Sequence, residues 1–314
     1  MNTRYVRQLL VYSIFLLLGL AIGAIIQKSF GMGNVLRAIG IPYPTTASPP
    51  GTTALAAVEV PRPYRGQLSL FILAGQSNMV GWAPLPEVQE IKERIYLFGN
   101  DYRWRLASEP VDSAYNQVDQ VSLDRIAHFG PSMAFALASL DRDPQIVIGL
   151  IPCAKNSSVI GQWERDLSDQ TLYGSCLKRA RAASPMGQIS GILFFQGETD
   201  ALDPVLYPGP ERNPSDWSRL FTSFVTDFRQ DLNDPDLPVI FAQIGSNTAP
   251  EAYINWDVII EQQSSIQLPM TAMITTDDLP LLDGLHFTNE SYRIIGQRFA
   301  KAYWDLVHLQ NSSQ

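Results

Sequence analysis

Five short apolar runs recur along the chain after about residue 66 and are separated by helical patterns. None of them alternates between apolar and polar positions, which is typical of strands buried on both faces of a parallel sheet. The five predicted strands are Leu68–Ala74, Ile146–Ile151, Ile189–Phe195, Pro238–Ile244 and Thr271–Thr275.

Amphipathic helical patterns lie between or after these runs. Pro131 precedes a helical stretch at 132–140, and two later stretches repeat apolar residues at steps of three and four. These are Trp217, Phe221, Phe224 and Phe228, then Ile295, Phe299, Ala302 and Leu306. The alternation predicts an α/β fold, a three-layer α/β/α sandwich around a mostly parallel five-stranded sheet, in one domain over 66–308 with a polar tail at 309–314.

The N-terminus has a different pattern. Residues 9–26 form 18 consecutive positions without a charge, which is just long enough for a helix to cross a bilayer. We therefore expect an N-terminal transmembrane helix that acts as a signal anchor, with 1–8 in the cytoplasm because of Arg4 and Arg7 and the catalytic domain extracytoplasmic. A cleaved signal peptide is the alternative, although Ala21-Ile22-Gly23 is a poor cleavage site.

Residues 27–65 are predicted to be a linker, since prolines recur from Ile41 onward with little that could form a core. The first 65 residues hold six basic side chains and one acid, a net charge of +5. Because the whole chain has a net charge of −8, the rest of it carries −13. An acidic globular part argues against nucleic acid as a partner and suits a neutral or cationic substrate.

Cysteine and histidine content argues against a catalytic metal site. Cys153 and Cys176 match no zinc spacing, and the three histidines lack the His-Glu-x-x-His pattern. We expect no cofactor and no metal. The two cysteines are compatible with buried thiols or with a disulfide, and the sequence leaves this open.

Ser77 directly follows the first predicted strand, where open α/β sheets place their ligands. A serine at that point could simply cap the next helix. Met79 occupies the position of the last glycine in Gly-x-Ser-x-Gly, so the sequence does not fit the α/β-hydrolase elbow.

A serine nucleophile needs a base and an acid that orients the base. Asp283 and His286 lie three residues apart, after the last predicted strand and before the last helix. Thr288 is the better cap for that helix, which leaves the pair without an obvious structural role. His128 and His308 are weaker candidates for the base.

Three segments carry a resemblance to a known family: Gly75–Met79, Phe195–Asp200 and Asp283–Thr288. Together with the stretch Gly149–Ala154 and with Trp163, they resemble the SGNH hydrolase superfamily, whose sheet is flavodoxin-like. Within it they resemble the sialate O-acetylesterase and acetyl xylan esterase branch, carbohydrate esterase family 6. The resemblance covers about residues 66–305.

The resemblance implies a catalytic role for each motif. Ser77 is expected to be the nucleophile, His286 the base and Asp283 its partner. The expected oxyanion hole consists of the Ser77 N–H, the Gly130 N–H and the side-chain amide of Gln196, since such donors stabilise a tetrahedral oxyanion without changing charge. Glu198 and Asp200 are expected to hold that loop.

The substrate pocket is predicted to include Gln76, Asn156, Ser157 and Trp163. One departure from the family concerns this pocket: Lys155-Asn156-Ser157-Ser158 stands where the family usually has Gly-Gly-Thr or Gly-Gly-Ser. The change adds side chains beside the expected acyl site and replaces residues that tolerate positive φ angles.

The prediction is a membrane-anchored serine esterase, a hydrolase that removes O-acetyl or other short acyl groups from carbohydrates through an acyl-enzyme. One alternative is a carbohydrate O-acetyltransferase with the same triad. Another is an inactive surface protein that binds carbohydrate, although such a protein has no need of the full catalytic set. The sequence leaves open the sugar, the acyl group and the oligomeric state.

Overall fold

Seven strands form one sheet in the computed structural model, which describes residues 56–124 and 126–312. Their order across the sheet is β3-β2-β4-β1-β5-β6-β7, and every neighbouring pair is parallel except β2 and β3. The strands are β1 (Leu68–Gly75), β2 (Ile95–Phe98), β3 (Trp104–Leu106), β4 (Ile148–Pro152), β5 (Gly187–Phe195), β6 (Val239–Ala242) and β7 (Thr271–Ile274).

Helices connect most of the parallel strands. The α-helices are α1 (Ser77–Val80), α2 (Ser132–Arg142), α3 (Leu172–Ala183), α4 (Trp217–Leu232), α5 (Trp256–Ser264) and α6 (Asn289–Ser312). Short 3-10 helices occur at Arg62–Tyr64, Ile160–Trp163, Ser184–Met186 and Pro214–Asp216.

The sheet separates two hydrophobic clusters. Helices α3, α4 and α5 cover the first cluster, and α2 and α6 cover the second. Along β1, Leu70 and Ile72 belong to the first cluster, whereas Phe71 and Leu73 belong to the second. Because both faces are covered, consecutive strand positions are all apolar, which explains the runs without alternation.

Helix α4 shows why the apolar spacing predicts a helix here. Its four aromatic residues, Trp217, Phe221, Phe224 and Phe228, are fully buried on one side. The helix ends where Asn233 adopts a left-handed conformation with φ of 56°, a common way for a helix to terminate.

The predicted number of strands is wrong. The α/β class holds and all five predicted strands form, but β2 and β3 bring the total to seven, and the antiparallel β3 makes the sheet mixed. Both missed strands are short, four and three residues. They lie in a long irregular segment, so no periodic pattern identifies them.

The predicted transmembrane helix receives no support from the structure. The predicted span, 9–26, lies outside the described residues. Among the helices that the structure describes, none has the length and apolar character needed to cross a bilayer.

A disulfide joins Cys153, directly after β4, to Cys176 in α3, with their Cα atoms 5.3 Å apart. Of the two possibilities that the sequence leaves open, the structure therefore has the disulfide. The bond fixes a covering helix to the strand end that leads into Ala154 and Lys155.

The last eight residues of the predicted linker, 58–65, pack on the domain. The Val58 N–H donates to the carbonyl oxygen of Trp104 in β3 at 2.8 Å, and Val60 is buried. Arg65 donates to the Val60 carbonyl oxygen and pairs with Glu59 at 2.8 Å. Residues from Val58 onward are thus part of the folded surface next to the edge strand.

Candidate active site

Ser77 lies at the carboxyl end of β1, in the middle of the sheet. The strand ends at Gly75, whose φ of +125° and close approach to β5 exclude a side chain, since a Cβ there would lie 2.1 Å from the Phe195 carbonyl oxygen. The Gln76 N–H donates to that oxygen at 2.7 Å, and the chain then turns into α1. Ser77 therefore begins α1 and is only 6% exposed.

His286 and Asp283 reach Ser77 from the loop between β7 and α6. The His286 Nε2 is 2.9 Å from the Ser77 Oγ, and its Nδ1 is 2.8 Å from the Asp283 Oδ2. The other carboxylate oxygen of Asp283 accepts the backbone N–H groups of Leu285 and His286, at 3.1 and 2.8 Å. One aspartate thus holds both the loop and the imidazole ring.

The charge state of Asp283 follows from these contacts. Burial alone raises the pKa of its carboxyl group, but the hydrogen bonds from the His286 side chain and from the two backbone N–H groups outweigh burial and lower that pKa to about 2. The group is therefore a carboxylate at any pH near neutrality. A carboxylate can orient an imidazole and stabilise its protonated form.

Trp82 packs flat on the His286 ring, with the ring centroids 4.4 Å apart and the planes at 16°. On the same tryptophan, His128 makes an edge contact at 6.4 Å. The sequence gives no signal for Trp82 beyond its position five residues after Ser77. Its stacking restricts the orientation of the imidazole that faces Ser77.

A buried polar network connects the three motif segments. The Asn78 side-chain amide donates to the Glu198 Oε1 at 2.6 Å and to the Leu285 carbonyl oxygen at 3.3 Å, and its oxygen accepts the Tyr292 hydroxyl at 2.7 Å. Burial raises the pKa of Glu198, while the bond from Asn78 opposes this shift. Asn78 thus ties the serine turn to the other two motif segments.

The Gln196 side chain is fully buried and its polar atoms are in use. Its Nε2 donates to the Asp200 carboxylate and to the Ser158 carbonyl oxygen at 3.0 Å, and it lies 3.3 Å from the Gln76 Oε1. Its Oε1 accepts the Trp217 indole N–H at 2.9 Å. Burial raises the pKa of Asp200 to about 7, although the Gln196 bond opposes the shift.

Gly130 lies in the loop before α2, directly against Gly81. A Cβ on Gly130 would be 2.9 Å from the Gly81 Cα, so the two backbones need glycine to approach this closely. The Gly130 N–H also lies near the buried carboxyl of Glu109 and lowers its pKa, as does the Val111 N–H. Its proposed role as an oxyanion donor stays a prediction.

The predicted pocket residues occupy different environments. Gln76 is buried, and its Oε1 accepts the backbone N–H groups of Gly197 and Thr199 at 3.4 and 3.3 Å. Asn156 is partly buried and Ser157 exposed, whereas Trp163 is fully buried in the first core cluster. The structure therefore does not bring Trp163 to the surface of the site.

Trp163 lies beneath the loop at 155–158 and supports it. Its indole N–H donates to the Ser158 Oγ at 3.2 Å, and its ring packs edge-on against Phe194 and Phe224. The described residues contain no cluster of histidine, cysteine or acidic side chains suited to a metal ion.

Comparisons with known proteins agree with this fold. A sequence profile of the family described as carbohydrate esterase, sialic acid-specific acetylesterase matches residues 67–305. A protein of Arabidopsis thaliana named "Probable carbohydrate esterase At4g34215" is 33% identical over 253 residues, which cover 74% of this chain and 89% of that protein.

Solved structures show the same fold. The X-ray structure of the Arabidopsis protein has a TM-score of 0.65 at 30% identity and covers 76% of this chain and 99% of its own. The crystal structure of NanS has a TM-score of 0.60 at 16% identity, covering 78% of this chain and 98% of NanS. The crystal structure of XAC1771, a carbohydrate acetylesterase from Xanthomonas citri, has a TM-score of 0.52 at 19% identity. It covers 76% of this chain and 56% of its own. At these lower identities the last two show the fold alone.

The fold and the matches define an enzyme, a carboxylic ester hydrolase. The chain belongs to the carbohydrate esterase, sialic acid-specific acetylesterase family. The enzyme class and the family predicted from the three motif segments are both confirmed.

Proposed function

We propose that the enzyme hydrolyses O-acetyl esters on carbohydrate hydroxyls, with Ser77 as nucleophile, His286 as base and Asp283 as the partner of the base. The observation that carries the proposal is the hydrogen-bonded chain from Ser77 through His286 to Asp283 in a member of a carbohydrate esterase family. The acidic globular part agrees with a neutral substrate.

In the first half of the reaction, the Ser77 Oγ attacks the ester carbonyl carbon while the His286 Nε2 takes the hydroxyl proton. The tetrahedral intermediate then collapses, and the protonated imidazole gives that proton to the departing sugar oxygen. The acetyl group remains bound to the Ser77 Oγ as an ester. Asp283 stabilises the imidazolium throughout, because it is already a carboxylate.

In the second half, water replaces the sugar. His286 takes a proton from the water, the hydroxide attacks the acetyl carbon, and Ser77 leaves with the proton returned. Acetate is released and the site is restored. A sugar hydroxyl in place of water would give a transferase.

The oxyanion needs donors near Ser77. Ser77 is the first residue of α1, and N–H groups in the first turn of a helix have no helical partner. The Ser77 N–H is therefore one proposed donor, and the Gly130 N–H is the second. For the Gln196 amide to contribute, one of its N–H bonds must exchange an acceptor such as the Ser158 carbonyl oxygen for the oxyanion. We therefore expect Gln196→Ala to lower both kcat and the free energy of unfolding, the latter by roughly 1–3 kcal/mol for each buried partner left unsatisfied.

The direct test measures acetate release by the full-length chain from an O-acetylated sugar and from p-nitrophenyl acetate. Ser77→Ala and His286→Ala should each lower kcat by about 10⁴-fold or more, and Asp283→Asn by roughly 10⁴-fold. Ser184→Ala, which changes an exposed serine at the end of α3, is the matched control. Retention of full activity by folded Ser77→Ala would refute the proposed mechanism.

Added acceptor sugar separates hydrolysis from transfer. If acetylated acceptor accumulates at the expense of free acetate, the enzyme is a transferase. We expect free acetate to remain the main product.

We also propose that the domain works in an oxidising, extracytoplasmic compartment. The proposal rests on the Cys153–Cys176 disulfide, because such bonds persist mainly outside the reducing cytosol. Thiol labelling of denatured protein taken from its native cells, without reductant, should find both cysteines protected. Labelling of both would contradict the proposal.

A further inference from the structure

Residues 123–129, which we call the strap, pass beside the active site; the structure describes all of them except residue 125. One end of the strap is fixed to the loop at 155–158. The Lys155 Nζ donates to the Leu123 carbonyl oxygen at 2.9 Å and to the Asp124 Oδ1 at 2.7 Å. The Asn156 N–H donates to the second carboxylate oxygen of Asp124, and its side-chain amide donates to the Ile126 carbonyl oxygen at 3.0 Å.

The other end of the strap lies close to the imidazole. The backbones of Phe129 and Ala83 form an isolated bridge, and the His128 N–H donates to the Gly81 carbonyl oxygen at 3.1 Å. The His128 ring contacts Trp82, which stacks on the ring of the base. The strap therefore runs from the loop after β4 to the wall beside the base.

The loop at 155–158 rests directly on the serine turn. The Lys155 N–H donates to the Gly75 carbonyl oxygen at 2.9 Å, and the Ser158 hydroxyl donates to the same oxygen at 3.2 Å. Gly75 is two residues before Ser77, so any movement of this loop changes the space next to the nucleophile. Ser157 adopts a φ of +59°, which preserves a tight turn without glycine.

The reaction geometry determines which part of the substrate faces this loop. The leaving sugar oxygen must be close to the His286 Nε2, because that nitrogen protonates it. The acyl chain lies on the other side of the carbonyl carbon and so points away from the imidazole. The base comes from the loop after β7, whereas the loop at 155–158 follows β4, on the opposite side of β1 in the sheet. We therefore expect the acyl chain to face the loop that Asp124 holds.

We propose that Asp124 is a positioning residue that limits the length of the acyl chain, by fixing Lys155 and Asn156 against the strap; this rests on the proposed function. The Lys155 and Asp124 side chains are 28% and 16% exposed, so water shields the pair only in part. Burial raises the pKa of Asp124, and the bonds from Lys155 and Asn156 oppose that shift. We call the contacts of Asp124 with Lys155 and Asn156 the clamp; a Gly-Gly loop would lack the lysine side chain and could offer Asp124 only a backbone N–H.

The test compares kcat/KM for p-nitrophenyl acetate, propionate and butyrate in the full-length enzyme. The acetate-to-butyrate ratio in one preparation is independent of the fraction of folded enzyme, so a general loss of stability does not change it. The wild type should prefer acetate strongly. Asp124→Ala should lower the ratio by about 10-fold or more, since one methylene in a tight pocket changes kcat/KM by roughly 10- to 200-fold.

Three further variants control the experiment. Asp124→Asn keeps one acceptor and should give a smaller decrease in the ratio. Lys155→Gln removes the charged partner of Asp124 and tests the same contact if Asp124→Ala does not fold. Asp305→Ala is the matched control: it removes the carboxylate that pairs with Lys301 on the exposed side of α6, and it should leave the ratio unchanged.

Each outcome has a clear meaning. An unchanged ratio in folded Asp124→Ala and Lys155→Gln overturns the inference. If the wild type hydrolyses no ester in the series, the proposed function itself fails. A lower ratio in both clamp variants, with Asp305→Ala unaffected, supports the inference.

Discussion

The buried carboxyl of Glu109 should make the stability of the enzyme depend on pH. Glu109 is 7% exposed, and burial raises its pKa from an ordinary 4.5 to about 8, against the effect of the Val111 and Gly130 N–H groups. Between these two values the folded state binds a proton that the unfolded state has lost. The stabilisation is therefore complete below about pH 4.5 and is lost as the pH rises through about 8.

The size of the effect follows from the pKa difference. A rise from 4.5 to about 8 corresponds to about 5 kcal/mol at roughly 1.36 kcal/mol per pKa unit. Between pH 5 and pH 8.5 the contribution of Glu109 to the free energy of unfolding should decrease by about 4 kcal/mol. Other buried acids add their own pH dependence, so the measurement must isolate this one group.

Glu109→Gln isolates it, because glutamine keeps an acceptor in nearly the same shape but does not titrate. Urea unfolding followed by circular dichroism at pH 5 and pH 8.5 should show a large loss of stability in the wild type. The loss should be smaller by about 4 kcal/mol in Glu109→Gln. Glu87→Gln, at an exposed glutamate, is the matched control. Equal losses in the wild type and Glu109→Gln would show that Glu109 is ionised in the folded state.

Three other predictions follow from the fold and the site. Trp82→Leu should lower kcat/KM by roughly 2- to 30-fold, because a ring stacked on the imidazole stabilises its cation by about 0.5–2 kcal/mol; an unchanged value in the folded variant would contradict this role. The double variant Cys153→Ala, Cys176→Ala should lose about 3 kcal/mol in urea unfolding, from the closure entropy of its loop, and an unchanged midpoint would exclude the disulfide. Gly75→Ala should lose about 3 kcal/mol or more because its Cβ would overlap a backbone carbonyl. Gly161→Ala, with nothing within 4 Å, should change stability by less than about 0.5 kcal/mol in the same assay, and similar losses for both would refute the packing argument.

The sequence predicted the centre of the fold better than its edge. The five central strands are long apolar runs because both of their faces are covered, and such runs are visible without knowledge of the neighbours. The β2 and β3 strands are short and lie between irregular segments, so only their pairing in three dimensions defines them. Strand order is a property of the same pairing.

The site shows a similar division. Ser77, Asp283 and His286 belong to compact local motifs, and the structure brings their side chains within hydrogen-bonding distance. Trp82 and Asp124 belong to the long segment between β1 and α2, where residue spacing says nothing about contacts. Their positions depend on how that segment folds back over the sheet, which no periodic pattern encodes.

The contact between Val58 and the edge strand has a practical consequence for making the enzyme. A fragment that begins at residue 66 would remove the Val58 N–H from the Trp104 carbonyl oxygen and would uncover the pocket filled by Val60. An unprotected edge strand pairs readily with the edge of another molecule, which leads to aggregation. Expression trials should therefore begin at or before Ala56, where the described residues start. If a shorter fragment forms inclusion bodies, we attribute them to the unprotected edge strand β3 rather than to instability of the catalytic domain.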